Sequence, residues 1–464
     1  MAYATTNPYT GETLKTFPMA TFEEVDTALD VAHHAYEWWR DEPLTERTKV
    51  LSAAADILEH ESKAFASMLT LEMGKVTSEA VAEVNVCVAI LRYYVKHTES
   101  LLAPKLLQTA GFGDTNVHLV NDPLGIIFAV EPWNFPYYQV IRVAAPQLAA
   151  GNVVLLKHAS NVPQCAALMS ELFHRAGAPD GVFTNLYLPH ELTEHVIASP
   201  YVRGVALTGS EHAGAVIASL AGKHLKKSTL ELGGMDAFIV LKDADVAAAA
   251  EWAVRGRCRN AGQVCVASKR FIVVDDVYDE FVDRYRAEAA KLVAGDPADP
   301  TTTLAPLSSV HARIQVERQV ADIVAQGASI EYLAEVPGWS ADGTPNEGAF
   351  YPPALITNIP EGTPAARTEI FGPVAQLYHA KDEEDAIRIA NDSPYGLGGS
   401  VFSADVHHAQ EIARRLDTGM VTINRSSASG PDIPFGGVKN SGYGRELIDL
   451  GLKEFVNQKV VING

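Results

Sequence analysis

The feature that most constrains the fold is an alternation of predicted strands and helices between residues 139 and 230. "VIRVAAPQLAAG" predicts a helix that ends at a glycine, and "NVVLLKHAS" predicts a buried strand. "VPQCAALMSELFHRAG", "GVALTGS" and "EHAGAVIASLAGKH" continue the pattern as helix, strand and helix. Strands that alternate with helices favour a parallel sheet with helices on both faces. We therefore predict a doubly wound α/β fold for this region.

The flanking regions predict further elements of the same kind. Residues 22–104 place apolar residues at three- and four-residue spacings, which is typical of helices, and residues 116–136 are typical of strands. A second alternating α/β region runs from about 233 to 440, with "AFIVL", "RFIVV" and "GGSVF" as strands and "DEFVDRYRAEAAKLV" and "EEDAIRIAND" as helices. "PGWSADGTPNEGAFYPP" predicts a surface loop. "EFVNQKVVING" predicts a terminal strand, and such a strand often pairs with another subunit.

Length, charge and cysteine usage exclude several classes of protein. A chain of 464 residues is expected to form two or more domains. Its net charge of −20 disfavours nucleic acid and anionic membrane surfaces as partners. Four cysteines are too few for a disulfide scaffold, and neither a signal peptide nor a long apolar run is visible. We expect a reduced, cytoplasmic protein.

One cysteine lies in a polar segment, "RNAGQVCVASKR", and raises the question of its role. Cys265 could be a small buried hydrophobe, which is the ordinary role of an isolated cysteine. It could also be a nucleophile, which requires a base and an oxyanion site. Cys258 is close in sequence, but no short-spaced Cys/His ligand pair accompanies it, so no metal site is predicted.

Three other short segments carry candidate functional groups. Glu231 in "LELGGMD" lies between leucines, where a raised pKa would suit a general base, although an outward-facing glutamate on an edge strand fits equally. Asn134 in "EPWNFPYY" could donate to an oxyanion or simply belong to a rigid proline turn. Ser210 in "VALTGSEHAG" precedes a helix start that could bind a pyrophosphate or be an ordinary turn.

Taken together in chain order, the segments "PWNFP", "LLKHAS", "LTGS", "LELGG", "GQVC" and "EIFGPV" resemble the aldehyde dehydrogenase superfamily over essentially the whole chain. Glu231 and Cys265 also have the 34-residue separation of that family. The resemblance implies an α/β fold with a Rossmann-like cofactor domain, a catalytic α/β domain and a small β oligomerisation arm. The corresponding boundaries are 1–107 and 123–232 for the NAD(P)-binding domain, 233–440 for the catalytic domain, and 108–122 with 441–464 for the arm. A homodimer or homotetramer is then expected.

The resemblance also implies roles for individual residues. Cys265 corresponds to the nucleophile, Glu231 to the base and Asn134 to the oxyanion donor. The corresponding cofactor-binding residues are Trp133, Lys157, Ser160, Ser210, Glu369 and Phe371. Many NAD-preferring relatives have a glutamate at the position of Ser160, and a carboxylate there would repel a 2′-phosphate. We therefore expect NADP⁺ to be preferred and NAD⁺ to be tolerated, unless Ser160 only caps a turn.

The substrate expectation depends on two arginines and a serine. Arg142 and Arg259 resemble the arginines that bind the distal carboxylate in succinate-semialdehyde dehydrogenases, and Ser429 is the serine expected to complete that site. A guanidinium binds a carboxylate bidentately, and a cation near Cys265 would favour the thiolate. The expected reaction is oxidation of succinic semialdehyde to succinate, with a small aldehyde as substrate and neither nucleic acid nor membrane as a partner. Broader oxidation of short aliphatic or ω-carboxylated aldehydes, a coenzyme-A-acylating enzyme and a non-catalytic binding protein are the alternatives.

Overall fold

The computed structural model describes residues 2–108, 111, 116–340 and 347–463. No helix in these ranges is both long enough and apolar enough to cross a bilayer. The helices are α1 Phe22–Trp39, α2 Leu44–His60, α3 Ser62–Met73, α4 Thr77–Leu102, α5 Tyr138–Ala150, α6 Pro163–Arg175, α7 Thr193–Ala198, α8 Glu211–Lys223, α9 Val246–Cys258, α10 Tyr278–Ala289, α11 Val310–Ala325, α12 Glu383–Asn391, α13 Val406–Ala413 and α14 Ile448–Lys453.

The strands form two large sheets and three small ones. They are β1 Tyr3–Thr6, β2 Thr13–Phe17, β3 Lys105–Leu107, β4 Val117–Pro123, β5 Ile126–Glu131, β6 Val153–His158, β7 Phe183–Asn185, β8 Val202–Thr208, β9 Lys227–Glu231, β10 Asp236–Val240, β11 Ser268–Val274, β12 Ser329–Tyr332, β13 Ala354–Thr357, β14 Val374–Ala380, β15 Tyr395–Gly396, β16 Gly399–Phe402, β17 Thr422–Ile423, β18 Val438–Lys439, β19 Gly442–Tyr443 and β20 Val456–Ile462.

The first large sheet has the strand order β19-β9-β8-β5-β6-β7 and is parallel apart from β19. Helix α5, which joins β5 to β6, is buried along its whole length and ends at Gly151, whose φ is +99°. Glycine adopts this left-handed conformation without a Cβ clash, so it ends the helix and turns the chain into β6. The alternating region predicted from the sequence is confirmed.

The second large sheet has the order β12-β13-β14-β11-β10-β16-β17 and is parallel apart from the β12–β13 pair. Its central strands β10 and β11 are buried at every position, as expected for a sheet covered on both faces. Each large sheet has its own apolar core. The predicted surface loop from residue 337 onward includes residues 341–346, which lie outside the described residues.

A three-stranded antiparallel sheet, with order β20-β4-β3, corresponds to the predicted arm. It differs from the sequence-based boundaries in two ways. Strand β3 pairs with β4, although residues 105–107 were assigned to the cofactor domain. Between residues 442 and 455, β19 pairs with β9 and α14 packs on α5, so this segment belongs with the first sheet. Part of the predicted arm segment 108–122, namely residues 109–110 and 112–115, lies outside the described residues.

Residues 232–235 join the carboxyl end of β9 in the first large sheet to the amino end of β10 in the second. The carboxyl ends of β5, β8 and β9 in the first sheet carry the segments that begin at Glu131, Thr208 and Glu231. The amino ends of β10 and β11 in the second sheet begin at Asp236 and Ser268, which are paired with each other. Ligands of open α/β sheets bind beyond the carboxyl ends of the strands, so this junction is where a functional site is expected.

Candidate active site

A tight backbone turn delivers Cys265 to the junction between the sheets. After α9, Asn260, Ala261 and Gly262 have φ values of +53°, +52° and +78°. A Cβ on Gly262 would lie 2.3 Å from the carbonyl oxygen of Gly372, so the position requires glycine for space as well as for φ. The buried guanidinium of Arg257 donates to the carbonyls of both Gly262 and Gly372, at 2.6 Å each, and fixes the turn.

The turn places the thiol of Cys265 against the carboxyl group of Glu231. Glu231 ends β9 and is 3% exposed, and burial raises its pKa to about 7. Hydrogen bonding with Cys265 acts in the opposite direction on the pKa of that carboxyl, and both side chains line the same cavity. Burial also raises the pKa of Cys265 well above its ordinary value, and the charge of Glu231 adds to that shift. The pair is thus a thiol beside a carboxyl group that titrates near neutrality.

Asn134 is held in one orientation at the same junction. Its Nδ2 donates to the carbonyl of Gln263 at 3.0 Å, and its Oδ1 accepts from Nε2 of Gln139 at 3.1 Å. Its own carbonyl accepts from Nζ of Lys75 at 3.1 Å. Lys75 forms a fully buried ion pair with Glu83. In the described part of the chain, Gln263 is the one acceptor found for Nδ2, which leaves a second hydrogen to donate, as an oxyanion donor requires.

Arg142 lies behind Glu231 in a buried charge cluster. Its Nε pairs with Glu446, and its Nη2 lies 3.0 Å from Oγ1 of Thr208 and 3.5 Å from Oε2 of Glu231. Among the described residues, Nη1 has no hydrogen-bond partner, although it is buried. Arg142 lowers the pKa of Cys265 as expected, but burial and Glu231 outweigh it. The effect of Arg142 is in the direction expected from the sequence, whereas the pKa of the thiol as a whole remains raised.

A cavity of about 570 Å³ opens on Cys265 from the side of the first sheet. This volume lies in the range of small-molecule and cofactor sites, which is roughly 300–1,000 Å³. The predicted residues that line it are Trp133, Asn134, Ser210, Glu231, Cys265, Glu369 and Phe371.

Several of these wall residues are anchored. Ser210 is the N-cap of the 13-residue helix α8 and accepts from the backbone N–H of Ala213. The ring of Trp133 meets that of Phe371 edge-on, with centroids 5.8 Å apart.

Lys157 and Ser160 lie farther along the same edge, at the carboxyl end of β6, which neighbours β5. Burial lowers the pKa of Lys157. The charge of Lys157 in turn lowers the pKa of His190, so these two side chains are neighbours. Helix α6 begins at Pro163 with Val162 as its N-cap, so Ser160 does not cap that helix. The residues fit a dinucleotide: α8 offers a helix N-terminus after β8, Lys157 offers a buried ammonium at the end of β6, and Glu369 offers a carboxylate on the cavity wall.

The other two substrate candidates, Ser429 and Arg259, are not part of this cavity lining. The hydroxyl of Ser429 is hydrogen-bonded to that of Tyr138, and the guanidinium of Arg142 lies 5.0 Å from the Tyr138 ring centroid. Arg259 is exposed, with its guanidinium 5.4 Å from the ring centroid of Phe135. The structure therefore groups Arg142 with Ser429 through Tyr138 and places Arg259 outside that buried group.

Sequence reasoning missed three residues of this region. Tyr138 lies four residues before Arg142 on the same helix, a spacing that puts both on one face and could have flagged it. Glu446 pairs with Arg142 but is 304 residues away in sequence, and no local signal connects them. Lys269 is four residues after Cys265, and its buried charge is visible only in the fold.

Among the described residues, no group of three His, Cys, Asp or Glu side chains is arranged to hold a metal ion.

Comparison with known proteins agrees with this geometry. Residues 1–461 match the aldehyde dehydrogenase family. The chain belongs to the aldehyde dehydrogenase family. It is 48% identical over 459 residues to the succinate-semialdehyde dehydrogenase [NADP(+)] of Deinococcus radiodurans, covering 99% of this chain and 94% of that protein.

Two further relatives show the same likeness. Succinate-semialdehyde dehydrogenase [NADP(+)] 1 of Mycobacterium tuberculosis is 44% identical over 464 residues, covering 99% of each protein. The crystal structure of succinic semialdehyde dehydrogenase from Streptococcus pyogenes in complex with NADP⁺ has a TM-score of 0.94 at 44% identity, covering 99% of each chain. The fold predicted from the resemblance is confirmed.

The raised pKa of Glu231 generates a test of its role as the base. If Glu231 activates water, hydrolysis of an acyl group on Cys265 accelerates about tenfold per pH unit below pH 7 and levels off above it. The Glu231→Gln variant then deacylates about 10²–10⁴-fold more slowly, and the acyl adduct accumulates. Single-turnover rates and intact-protein mass measure both effects. A deacylation rate that does not change with pH, or that is the same in the Glu231→Gln variant as in the wild type, contradicts this role.

Proposed function

We propose that this aldehyde dehydrogenase oxidises succinic semialdehyde to succinate, with NADP⁺ as the preferred acceptor and NAD⁺ tolerated. The observation that carries the proposal is the buried guanidinium of Arg142, whose Nη1 has no hydrogen-bond partner among the described residues. This guanidinium lies over the ring of Tyr138, whose hydroxyl is hydrogen-bonded to Ser429. A buried donor without a partner costs about 1–3 kcal/mol, and a carboxylate is the acceptor that a guanidinium binds best. The names of the relatives described above support the same substrate.

The catalytic sequence follows from the positions of Cys265, Asn134 and Glu231. Glu231 accepts the thiol proton, and the thiolate attacks the aldehyde carbon to give a thiohemiacetal. Asn134 Nδ2 and the backbone N–H of Cys265 stabilise its oxyanion. NADP⁺, when bound, supplies the acceptor for the hydride that leaves this carbon. Glu231 then releases the thiol proton to solvent and, as a carboxylate again, deprotonates a water molecule that attacks the thioester. The carboxylic acid leaves, and the departing thiolate takes up a proton to restore the thiol, so no coenzyme A is needed.

The choice of NADP⁺ is supported by what lies at the end of β6. The buried ammonium of Lys157 offers positive charge, and the neighbouring His190 offers a ring N–H donor. Ser160 stands where a carboxylate would repel a phosphate. We assign the ribose and its 2′-phosphate to this end, the pyrophosphate to Ser210 at the start of α8, and the nicotinamide end to Glu369 and Phe371.

The broader alternative, a dehydrogenase of short aliphatic or ω-carboxylated aldehydes, is favoured by one observation. Arg259 is exposed, and its charge already acts on the buried carboxyl of Glu79. An exposed guanidinium that is partly compensated discriminates less between charged and uncharged aldehydes than a buried one.

Four unpaired cysteines fit a cytoplasmic enzyme, and the exposed apolar residues Val460, Val461 and Ile462 of β20 fit a homodimer or homotetramer.

Variants of the carboxylate group test the substrate. Replacing Arg142 by Met should lower kcat/KM for succinic semialdehyde by the equivalent of about 2–5 kcal/mol, because a desolvated charge pair is lost. Ser429→Ala should lower it by about tenfold. Turnover of butanal, which has no carboxylate, should change far less in both variants. Thermal unfolding is measured alongside, because Arg142 also pairs with Glu446.

Arg255, on the last turn of α9, provides the matched control for Arg259, which is the C-cap residue of the same helix. Arg255 and Arg259 are four residues apart at the end of α9, and each lies over an aromatic ring, that of Trp252 or that of Phe135. Arg259→Ala should reduce selectivity for succinic semialdehyde over butanal, whereas Arg255→Ala should leave it unchanged. Equal losses with both aldehydes in Arg142→Met and Arg259→Ala would contradict the carboxylate site.

Ser160 tests the choice of cofactor. Ser160→Glu should lower kcat/KM for NADP⁺ by about tenfold or more, because a carboxylate there repels the 2′-phosphate, and should leave NAD⁺ little changed or improved. Ser160→Gln has the same shape without the charge and is the matched control. If both variants lower kcat/KM for NADP⁺ equally, the effect is steric. The electrostatic explanation of the preference for NADP⁺ is then wrong.

A further inference from the structure

One buried ammonium connects the nucleophile turn to the wall of the dinucleotide cavity. Lys269 is 2% exposed, and its Nζ donates to the carbonyl of Val264 at 2.9 Å and to that of Cys265 at 2.7 Å. The same nitrogen forms an ion pair with Oε1 of Glu369 at 2.9 Å. A lysine is almost never fully buried unless it is paired, so Glu369 is the partner that permits this position.

Glu369 occupies a place that a bound dinucleotide would compete for. Its carboxylate lines the cavity and accepts from the backbone N–H of Gly234 at 3.1 Å. A Cβ on Gly233 would lie 2.3 Å from Oε2, so the glycine leaves room for this carboxylate. Nζ of Lys269 also lies 5.7 Å from the ring centroid of Phe371. Lys269 is therefore in contact with both residues assigned to the nicotinamide end of the cofactor.

We propose that Lys269 is a positioning residue that couples occupation of the dinucleotide cavity to the reactivity of Cys265. A ribose hydroxyl that donates a hydrogen bond to Glu369 takes up part of the negative charge that otherwise neutralises Lys269. The ammonium then remains on the carbonyl of Cys265 with less of its charge compensated. That charge favours the thiolate over the thiol, so cofactor binding activates the nucleophile without contact between the cofactor and the sulfur.

The charges around the thiol fix the direction of this effect. Glu231 and Asp236 oppose formation of the thiolate, and Arg142 and Lys269 favour it. Arg142 is committed to Glu446 and Glu231, whereas the partner of Lys269 faces the cavity. Lys269 is thus the cation near Cys265 whose compensation the dinucleotide can change. The inference rests on the proposed nucleophile and dinucleotide cavity and is independent of the choice of aldehyde.

Alkylation of the thiol tests the coupling without any substrate turnover. The rate of reaction of Cys265 with iodoacetamide is measured against pH, with and without NADP⁺, and peptide mass spectrometry locates the label. Cys87, Cys165 and Cys258 are buried and should remain unlabelled in the folded enzyme. In the wild type, NADP⁺ should lower the thiol pKa and accelerate alkylation. In Lys269→Met, the pKa without cofactor should be about one unit higher, and the acceleration by NADP⁺ should be lost.

Three further variants separate coupling from a merely structural role. Lys269→Arg keeps the charge and should restore most of the NADP⁺ effect. Glu369→Gln removes the neutralising carboxylate and should accelerate alkylation about tenfold without cofactor, leaving NADP⁺ with little further effect. Lys49→Met removes an exposed lysine that pairs with Glu46 and is the matched control for loss of one lysine charge.

The outcomes distinguish the inference from the proposed function. If Lys269→Met lowers only the melting temperature and keeps the wild-type pH profile and NADP⁺ response, Lys269 has only a structural role and the inference is overturned. If Glu369→Gln slows alkylation, the direction of the coupling is wrong and the inference is also overturned. If the label falls on a residue other than Cys265, the nucleophile assignment itself fails. NADP⁺ affinity measured by calorimetry in each variant confirms that the cofactor is bound during labelling.

Discussion

The site depends on a run of left-handed backbone that few sequences adopt. Asn260 and Ala261 carry positive φ ahead of Gly262, and a left-handed non-glycine residue costs about 1–2 kcal/mol. The surrounding contacts sustain the turn: Arg257 binds the Gly262 carbonyl, and Nε2 of Gln263 donates to the carbonyl of Asn260 at 3.0 Å. Without this turn, the chain leaving α9 would not deliver Cys265 to the first sheet. The junction of the two sheets can be a reaction site because this turn brings Cys265 to Glu231 there.

Burial of charge then sets the chemistry of the junction. Glu131, Glu231 and Glu446 surround the single guanidinium of Arg142, and burial raises the pKa of each of the three carboxyl groups. One cation cannot balance three carboxylates in a low-dielectric interior, so part of the cluster holds protons near neutrality. Glu231 is poised to take up and release a proton in that range, as a general base requires. The same burial keeps the Cys265 thiol protonated until a nearby charge changes.

The sequence predicts well what is local and poorly what is distant. Helix α5 was expected because its apolar spacing and its closing glycine, Gly151, are local properties. Glu231 and Cys265 were expected because a motif and its spacing carry them. The pairing of Arg142 with Glu446, and the pairing of β19 with β9, join segments that are more than 200 residues apart in the sequence. Such partners are selected by packing, and only the folded chain shows them. Arg142 was therefore predicted as a substrate residue without the protein carboxylates that share it.

The measurement that tests the account most directly compares two aldehydes on the unmodified enzyme. Succinic semialdehyde and butanal have equal carbon number, and only the first carries a carboxylate. With NADP⁺ in excess, the account predicts that kcat/KM is about a hundredfold higher for succinic semialdehyde, a difference of about 2.7 kcal/mol that one well-placed ion pair provides. Equal values would contradict the carboxylate site around Arg142. The enzyme would then be an aldehyde dehydrogenase in which the buried guanidinium serves only Glu446 and Glu231.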